Sequence, residues 1–319
     1  MKILIFDTNV ARTLSKYLRE DPNMNKFYQK MKDKGFKLYP SPLVMAELLS
    51  HINNDDPKEC KICFYAIKAI MLICKNQGYS NYALPAEMII SNHFFHEHLK
   101  NRDEMYLDIM NVSADIANKD FEDIEPITTT DGQTLGEFYK NMRHSFAKKL
   151  FEVYDQYANK ESREEMLKDY NYVITSFNKT FICTINDLIA ENKSRPTISS
   201  ILELAEKNKD HVLLKHLKEE IENINRINSF NILEFYPVPV ELLKIVSDKI
   251  IKSDKQFSIL KVGNYLQDIM LSFHVSQLFE EGKAIFVTDD KAIIKAAENA
   301  KEENGVMKFK DLEKILFES

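Results

Sequence analysis

Residues 3–9, Ile3-Leu4-Ile5-Phe6-Asp7-Thr8-Asn9, decide how the rest of the chain is read. Four consecutive apolar residues with no polar alternation are the pattern of a strand buried on both faces of a parallel sheet. Asp7 closes the run. A second run of the same kind stands far away in sequence, where Ala284-Ile285-Phe286-Val287 leads into Thr288-Asp289-Asp290. Phe36–Tyr39, Ile232–Tyr236 and Val306–Phe309 are weaker strand candidates. Helical stretches separate these runs, so the two ends of the chain predict one α/β domain, a parallel sheet flanked by helices.

Between the strands the helix signals are clear. Met24, Phe27, Tyr28 and Met31 recur at helical spacing, and Gly35 follows as a stop. Ser41-Pro42 reads as an N-cap with proline at the first helical position, opening a helix over Leu43–His51. Helices beginning near Tyr265 and Lys291 are expected to end at Gly282 and Gly305. The middle of the chain, residues 54–228, lacks strand-like runs. It shows helical periodicity over Ile62–Cys74, Phe138–Tyr157 and Ile201–Ile224, with a loop signal at Pro126–Gly136. This middle holds about 22 basic and about 29 acidic residues, so the acidity of the chain belongs to it.

Composition narrows the function classes. The 319 residues are 44% hydrophobic and 29% charged, which allows a packed core. None of the 7 glycines falls in a G-x-G arrangement, which excludes glycine-rich phosphate loops of the dinucleotide or Walker type. The net charge of −6 means that any polyanion must be handled by a local site. Four cysteines do not make a disulfide framework, and Cys60-x-x-Cys63 with Cys74 lies in an apolar helical stretch that reads as core. His93, His96 and His98 with Glu97 read as a solvated or interface patch, and the Lys/Glu-rich segments Glu161–Lys168 and Lys207–Glu220 as solvated helix faces. The Met1–Phe6 run is too short for a signal-peptide core, and Ile62–Cys74 carries Lys68 and is shorter than a membrane span. A soluble, cytoplasmic protein with no membrane partner is the expectation.

Ligands of a parallel α/β sheet bind outside the carboxyl ends of its strands. Asp7, Asp289 and Asp290 stand at such ends. Glu47, in the second turn of the helix after Ser41, and Asp268, in the first turn of the helix expected from Tyr265, can converge there. Singly, each acid has an ordinary explanation as a cap, a solvated side chain or a partner of the helix dipole. Together, four or five carboxylates at one sheet edge would repel unless a hard cation such as magnesium or manganese neutralised them.

The residues that carry this pattern resemble those of the PIN-domain ribonucleases. Ile3–Asn9 looks like that family's opening strand and Asp-Thr-Asn motif, and Ser41–Leu48 is similar to its second motif, with Glu47 as the acid. Asp268-Ile269-Met270-Leu271 and Phe286–Asp290 resemble the segments bearing the third and fourth acids, and Val306–Phe309 fits the final strand. The family register places its last acid two positions after the threonine, at Asp290, which leaves Asp289 ambiguous. The resemblance covers residues 1–53 and 229–319, about 144 residues, an ordinary domain size. It departs in spacing, since about 170 extra residues separate Glu47 from Asp268. The implied organisation is a PIN-like domain in two parts, 1–53 and 229–319, with an all-α insertion over 54–228.

What the resemblance implies is an endoribonuclease that hydrolyses RNA phosphodiester bonds with one or two Mg2+ or Mn2+ ions. Asp7, Glu47, Asp268 and Asp290 would hold the metal, with Asp289 as a further candidate. Thr8, Asn9 and Thr288 would orient those acids. Near them, Arg12, Lys291 and Lys295 are candidates to meet substrate phosphates. RNA is favoured over DNA from the family alone. The acidic insert is expected to act as a selectivity wall or as the surface for a second copy of the chain or an inhibitory protein, rather than as a general RNA grip. Two other classes compete. A haloacid-dehalogenase-like phosphatase needs a second aspartate two residues after the first, and Asn9 occupies that position. The stronger rival is a PIN fold with weak catalysis, serving as an RNA-binding or assembly scaffold through its insert.

Overall fold

Ile3, Leu4 and Ile5 are all fully buried, because the strand they form has a neighbour on each side. The structure, a computed structural model, describes residues 1–52, 56–78, 81–124, 170–219, 221–222, 235–251, 259–275 and 277–318, with isolated positions between 134 and 148. Strand β1 (Lys2–Phe6) lies between β2 (Phe36–Leu38) and β4 (Gly282–Val287) and pairs with both in parallel. Strand β5 (Val306–Met307) extends β4 in parallel, and the two-residue β3 (Leu278–Phe279) pairs with it antiparallel. The fold is therefore mixed α/β, a small open sheet of five mostly parallel strands flanked by helices.

Helices described before β3 include α1 (Thr8–Leu14), α2 (Asn25–Asp33), α3 (Pro42–Ser50), α4 (Pro57–Asn76), α5 (Ala86–Ile90), α6 (Lys100–Ala117), α7 (Asn171–Asn192), α8 (Ile198–Lys207), α9 (Pro237–Ile251) and α10 (Ile259–Ser272). After β4 come α11 (Lys291–Asn299) and α12 (Phe309–Phe317). A 3-10 turn, Ser15–Arg19, continues α1 directly. Helix α4 packs on α1, α2, α3 and α6, and α9 packs on α7, α10 and α11. One continuous apolar core joins the strands to both groups: Ile5 and Phe286 belong to it together with Phe64 and Ile67 of α4 and Phe181 of α7. Packing thus crosses the sequence division at residue 54. Truncating a fully buried core residue such as Ile5 to alanine is worth about 2–5 kcal/mol.

Several local expectations are corrected. Helix α10 begins six residues before Tyr265 and ends at Ser272, so Asp268 lies well inside the helix rather than in its first turn. Gly282 does not stop that helix. It opens β4 with φ 138°, a conformation L side chains rarely adopt, in the hairpin that follows β3. Helix α11 ends at Asn299, with Lys301 in the left-handed conformation (φ 58°), so it stops before Gly305, where the sequence placed its end. Ile201–Ile224 is not one helix: α8 stops at Lys207, Lys209 turns left-handed (φ 55°), and helix resumes at 211. Phe309 starts α12 instead of ending β5. In the strand candidate Ile232–Tyr236, Phe235 is helical and Tyr236 is not strand, and the rest lies outside the described residues. So do Glu161–Lys168, nearly all of Pro126–Gly136 and Phe138–Tyr157, and both junctions of the insert.

Ser41 sits at the N-cap position of α3 without capping it. Its hydroxyl is 2.9 Å from Nε2 of the fully buried His274, whose Nδ1 is 3.1 Å from Oε1 of Gln277. Gln277 Oε1 can only accept, so His274 carries its proton on Nδ1 and accepts from Ser41. Burial pushes the imidazole down to about 4, which keeps it neutral.

Candidate functional site

The site begins with the register of β1 and β4. Ile5 pairs with Phe286 and Phe6 with Val287, so Asp7 and Thr288 leave the sheet side by side. The Asp7 N–H still donates to the Val287 carbonyl at 3.1 Å. Only 4% of Asp7 is exposed. Its Oδ1 accepts from the Val10 N–H at 2.9 Å and caps α1, while its Oδ2 accepts from the hydroxyl of the fully buried Thr288. Thr288 Oγ1 in turn accepts from the Asp290 N–H at 3.0 Å. Asp290 caps α11, its Oδ1 accepting from the N–H groups of Ala292 (2.7 Å) and Ile293 (3.0 Å).

The other two acids arrive on helices. Glu47 stands on α3 among the buried Val44, Met45, Leu48 and Leu49, and is itself only partly covered. Its Oε2 accepts from the hydroxyl of Thr8 and from Nε2 of Gln267. Thr8 follows Asp7 directly, so one short segment holds two acids through adjacent residues. Asp268, next to Gln267 on α10, is half-buried.

Electrostatics show that the four acids share one neighbourhood. Burial pushes the Asp268 carboxyl up to about 7, and the charges of Asp290, Glu47 and Asp7 push in the same direction. Lys249 of α9 opposes them. Burial also raises Asp7 above the ordinary carboxylate range, against the hydrogen bonds from Thr288, Val10 and the Asn9 backbone, and Asp290 adds to the rise. Four segments distant in sequence thus deliver carboxylates whose charges oppose one another.

Asp289 behaves differently. It is exposed, and its Oδ1 accepts from the Phe309 N–H at 3.2 Å, at the start of α12. It does not cap α11; that cap is Asp290. Successive residues leaving a strand point to opposite sides. The outward one meets α12 because β5, which leads into that helix, pairs with β4.

The hydroxyl of Thr8 donates to Glu47 and that of Thr288 to Asp7, whereas the Asn9 side chain is exposed. Arg12 is engaged by Glu59 of α4, Nη2 to Oε1 at 2.7 Å, and its Nε is buried without a hydrogen-bond partner among the described residues. Lys291 and Lys295 are exposed, and Lys295 lies 3.4 Å from Glu298. Gln267 and Lys249 are residues of the site that sequence reading missed. Nothing local marks them, since each acts across a tertiary contact. Cys63 and Cys74 are buried, and burial pushes both thiols up to about 12, consistent with core packing. His93 meets Phe94 edge-on and Phe235 at a tilt, and His98 lies 3.4 Å from Asp103.

The donor chemistry of the site fits a hard divalent cation. It consists of carboxylate oxygens alone, without the nitrogen or sulfur ligands typical of zinc, and it carries excess negative charge. The spacing is open: among the described residues, no group of three or more His, Cys, Asp or Glu side chains is drawn together as a metal-holding cluster. Among the described residues, no helix is long and apolar enough to cross a membrane. No protein-family model, curated protein or solved structure matches the chain.

Proposed function

We propose that the chain is a metal-dependent endoribonuclease of PIN type. The observation that carries this reading is the register that sets Asp7 beside the segment leading to Asp290 at the ends of β1 and β4, together with the rise of Asp268 to about 7 through burial and the charges of Asp290, Glu47 and Asp7. A fold accepts such repulsion where a cation is to be held. Asp7, Glu47, Asp268 and Asp290 would hold Mg2+ or Mn2+. When bound, such an ion polarises the scissile phosphodiester and lowers the pKa of water.

The chain's own residues set the site beforehand. The Val10 N–H and the Thr288 hydroxyl fix both oxygens of Asp7. Thr8 and Gln267 share one oxygen of Glu47 and leave its other oxygen turned to no partner that they supply. Capping of α11 occupies Oδ1 of Asp290, so Oδ2 is the oxygen left for a ligand. Such fixed outer partners tune a metal site nearly as strongly as the ligands themselves.

One observation favours the rival reading, a PIN-like scaffold with weak catalysis: three of the acids already accept protein hydrogen bonds, and the acids stand open in spacing. A thermal melt with and without manganese separates the two. A metal site raises the melting temperature with the logarithm of metal concentration once that exceeds the dissociation constant, and no rise at millimolar manganese supports the scaffold. The products of incubation with labelled RNA then report the chemistry, with 5′-phosphate and 3′-hydroxyl ends expected.

A further inference from the structure

A chain with a net charge of −6 needs a local grip for any polyanion. A cleft of about 710 Å3 lies between the 3-10 turn Ser15–Arg19 and the first half of α4, lined by Lys16, Arg19, Lys58, Lys61 and Tyr65. Among the described residues that line it there is no carboxylate. The nearest acid on the helix, Glu59, is taken by Arg12 at 2.7 Å. Lys16 is held by Glu313, but Arg19, Lys58 and Lys61 form no ion pair among the described residues. Lys61 lies over the rings of Tyr65 (6.0 Å) and Phe121 (5.6 Å).

Helix stability does not explain Lys58 or Lys61. Lys58 and Lys61 occupy the opening turns of α4, at the positive end of its dipole, where a positive charge is disfavoured. Unpaired cations beside aromatic rings are instead the combination that grips a phosphate backbone and stacks its bases. We propose that this cleft binds a single-stranded nucleic acid, with Arg19, Lys58 and Lys61 on successive phosphates and Tyr65 against a base. Only α1 separates the cleft from Asp7, and its seven residues span about 10 Å. That the bound strand is the substrate of the acid site rests on the nuclease reading; that the cleft binds it does not.

The test is fluorescence anisotropy with a short labelled single-stranded RNA, and in parallel single-stranded DNA, titrated with the full chain in excess chelator so that no cleavage intervenes. The variants are Lys58→Glu with Lys61→Glu, and separately Arg19→Glu on the opposite wall. All three positions are exposed, and acids suit the start of α4, so the fold is retained. The double variant is expected to bind at least about tenfold more weakly, with the slope of log affinity against log salt shallower by about 1.4, two phosphate contacts on a single strand. Arg19→Glu should weaken binding in the same direction. Parallel losses for RNA and DNA support recognition through phosphate and base. Unchanged affinity and slope in the double variant, or no binding by the unaltered chain, overturns the proposal. If the charge reversals abolish binding but the unaltered chain cuts no RNA with manganese, the cleft stands and the nuclease reading falls.

Discussion

Replacing Asp268 by asparagine should stabilise the protein in the absence of metal, and only above acidic pH. The unfolded chain titrates Asp268 near 3.8, whereas in the fold burial and the charges of Asp290, Glu47 and Asp7 raise it to about 7. Below 3.8 the group is protonated in both states and costs nothing. As pH rises, the unfolded state releases its proton first, so stability falls through this interval and the loss is complete above about 7. Three units correspond to about 4 kcal/mol, reduced to about 2–4 kcal/mol because Asp268 is half-buried and partly screened by solvent. Asp268→Asn keeps the volume and removes the charge. Urea denaturation in chelator, run from acidic to mildly alkaline pH, should give a midpoint that declines with pH in the parent and declines less in the variant. Manganese should restore the parent at alkaline pH and leave the variant nearly unmoved. Identical pH profiles for the two proteins would refute the placement of Asp268 among mutually repelling acids.

Asp290→Asn should silence cleavage, whereas Asp289→Ala should leave cleavage intact and cost about 1 kcal/mol, since Asp289 serves the first turn of α12; kinetics and denaturation midpoints on both variants check the pair. Thr8→Val removes a hydrogen bond to Glu47 and should weaken manganese binding about 10- to 100-fold without unfolding the protein, as read by calorimetric titration. Excising residues 54–228 removes α4, whose Cys63, Phe64, Ile67 and Ile70 are buried in the core shared with the strands, so the excised chain should lack a cooperative melt; a sharp transition would show that the strands and α3 suffice.

The parts of the fold that sequence reading reached are those whose signal is local. Ile3–Phe6 and Ala284–Val287 are apolar throughout because β1 and β4 are covered by helices and flanked by strands, and that requirement is written in consecutive residues. Asp7 and Asp290 each follow a strand and cap the next helix, a placement visible in local sequence, although the choice of Asp290 over Asp289 came from the resemblance alone. Asp268 was placed on the right helix in the wrong turn. Gly263 and Asn264 interrupt the helical pattern before Tyr265, but tertiary packing carries α10 through them, overriding their low propensity. Gly282 reads identically as a helix stop or a hairpin residue, and only the pairing of two-residue β3 with β4 decides between them. Gln267 and Lys249 were invisible because each acts across a tertiary contact, and the cationic cleft on α4 because charge was averaged over residues 54–228. Lys58 and Lys61 gain meaning only when Arg19, some forty positions earlier, faces them.

The central claim is tested most directly by incubating the purified chain with end-labelled RNA and manganese, beside the same reaction in excess chelator and one with Asp7→Asn. Asparagine keeps the shape of Asp7 but loses the ligand charge; its Oδ1 can still accept from the Val10 N–H, while its amide nitrogen replaces the oxygen that accepted from Thr288. Internal cleavage in the first reaction, and none in the other two, is the expected result. Intact RNA in all three reactions, or cleavage that survives the chelator or the Asp7→Asn substitution, would contradict it.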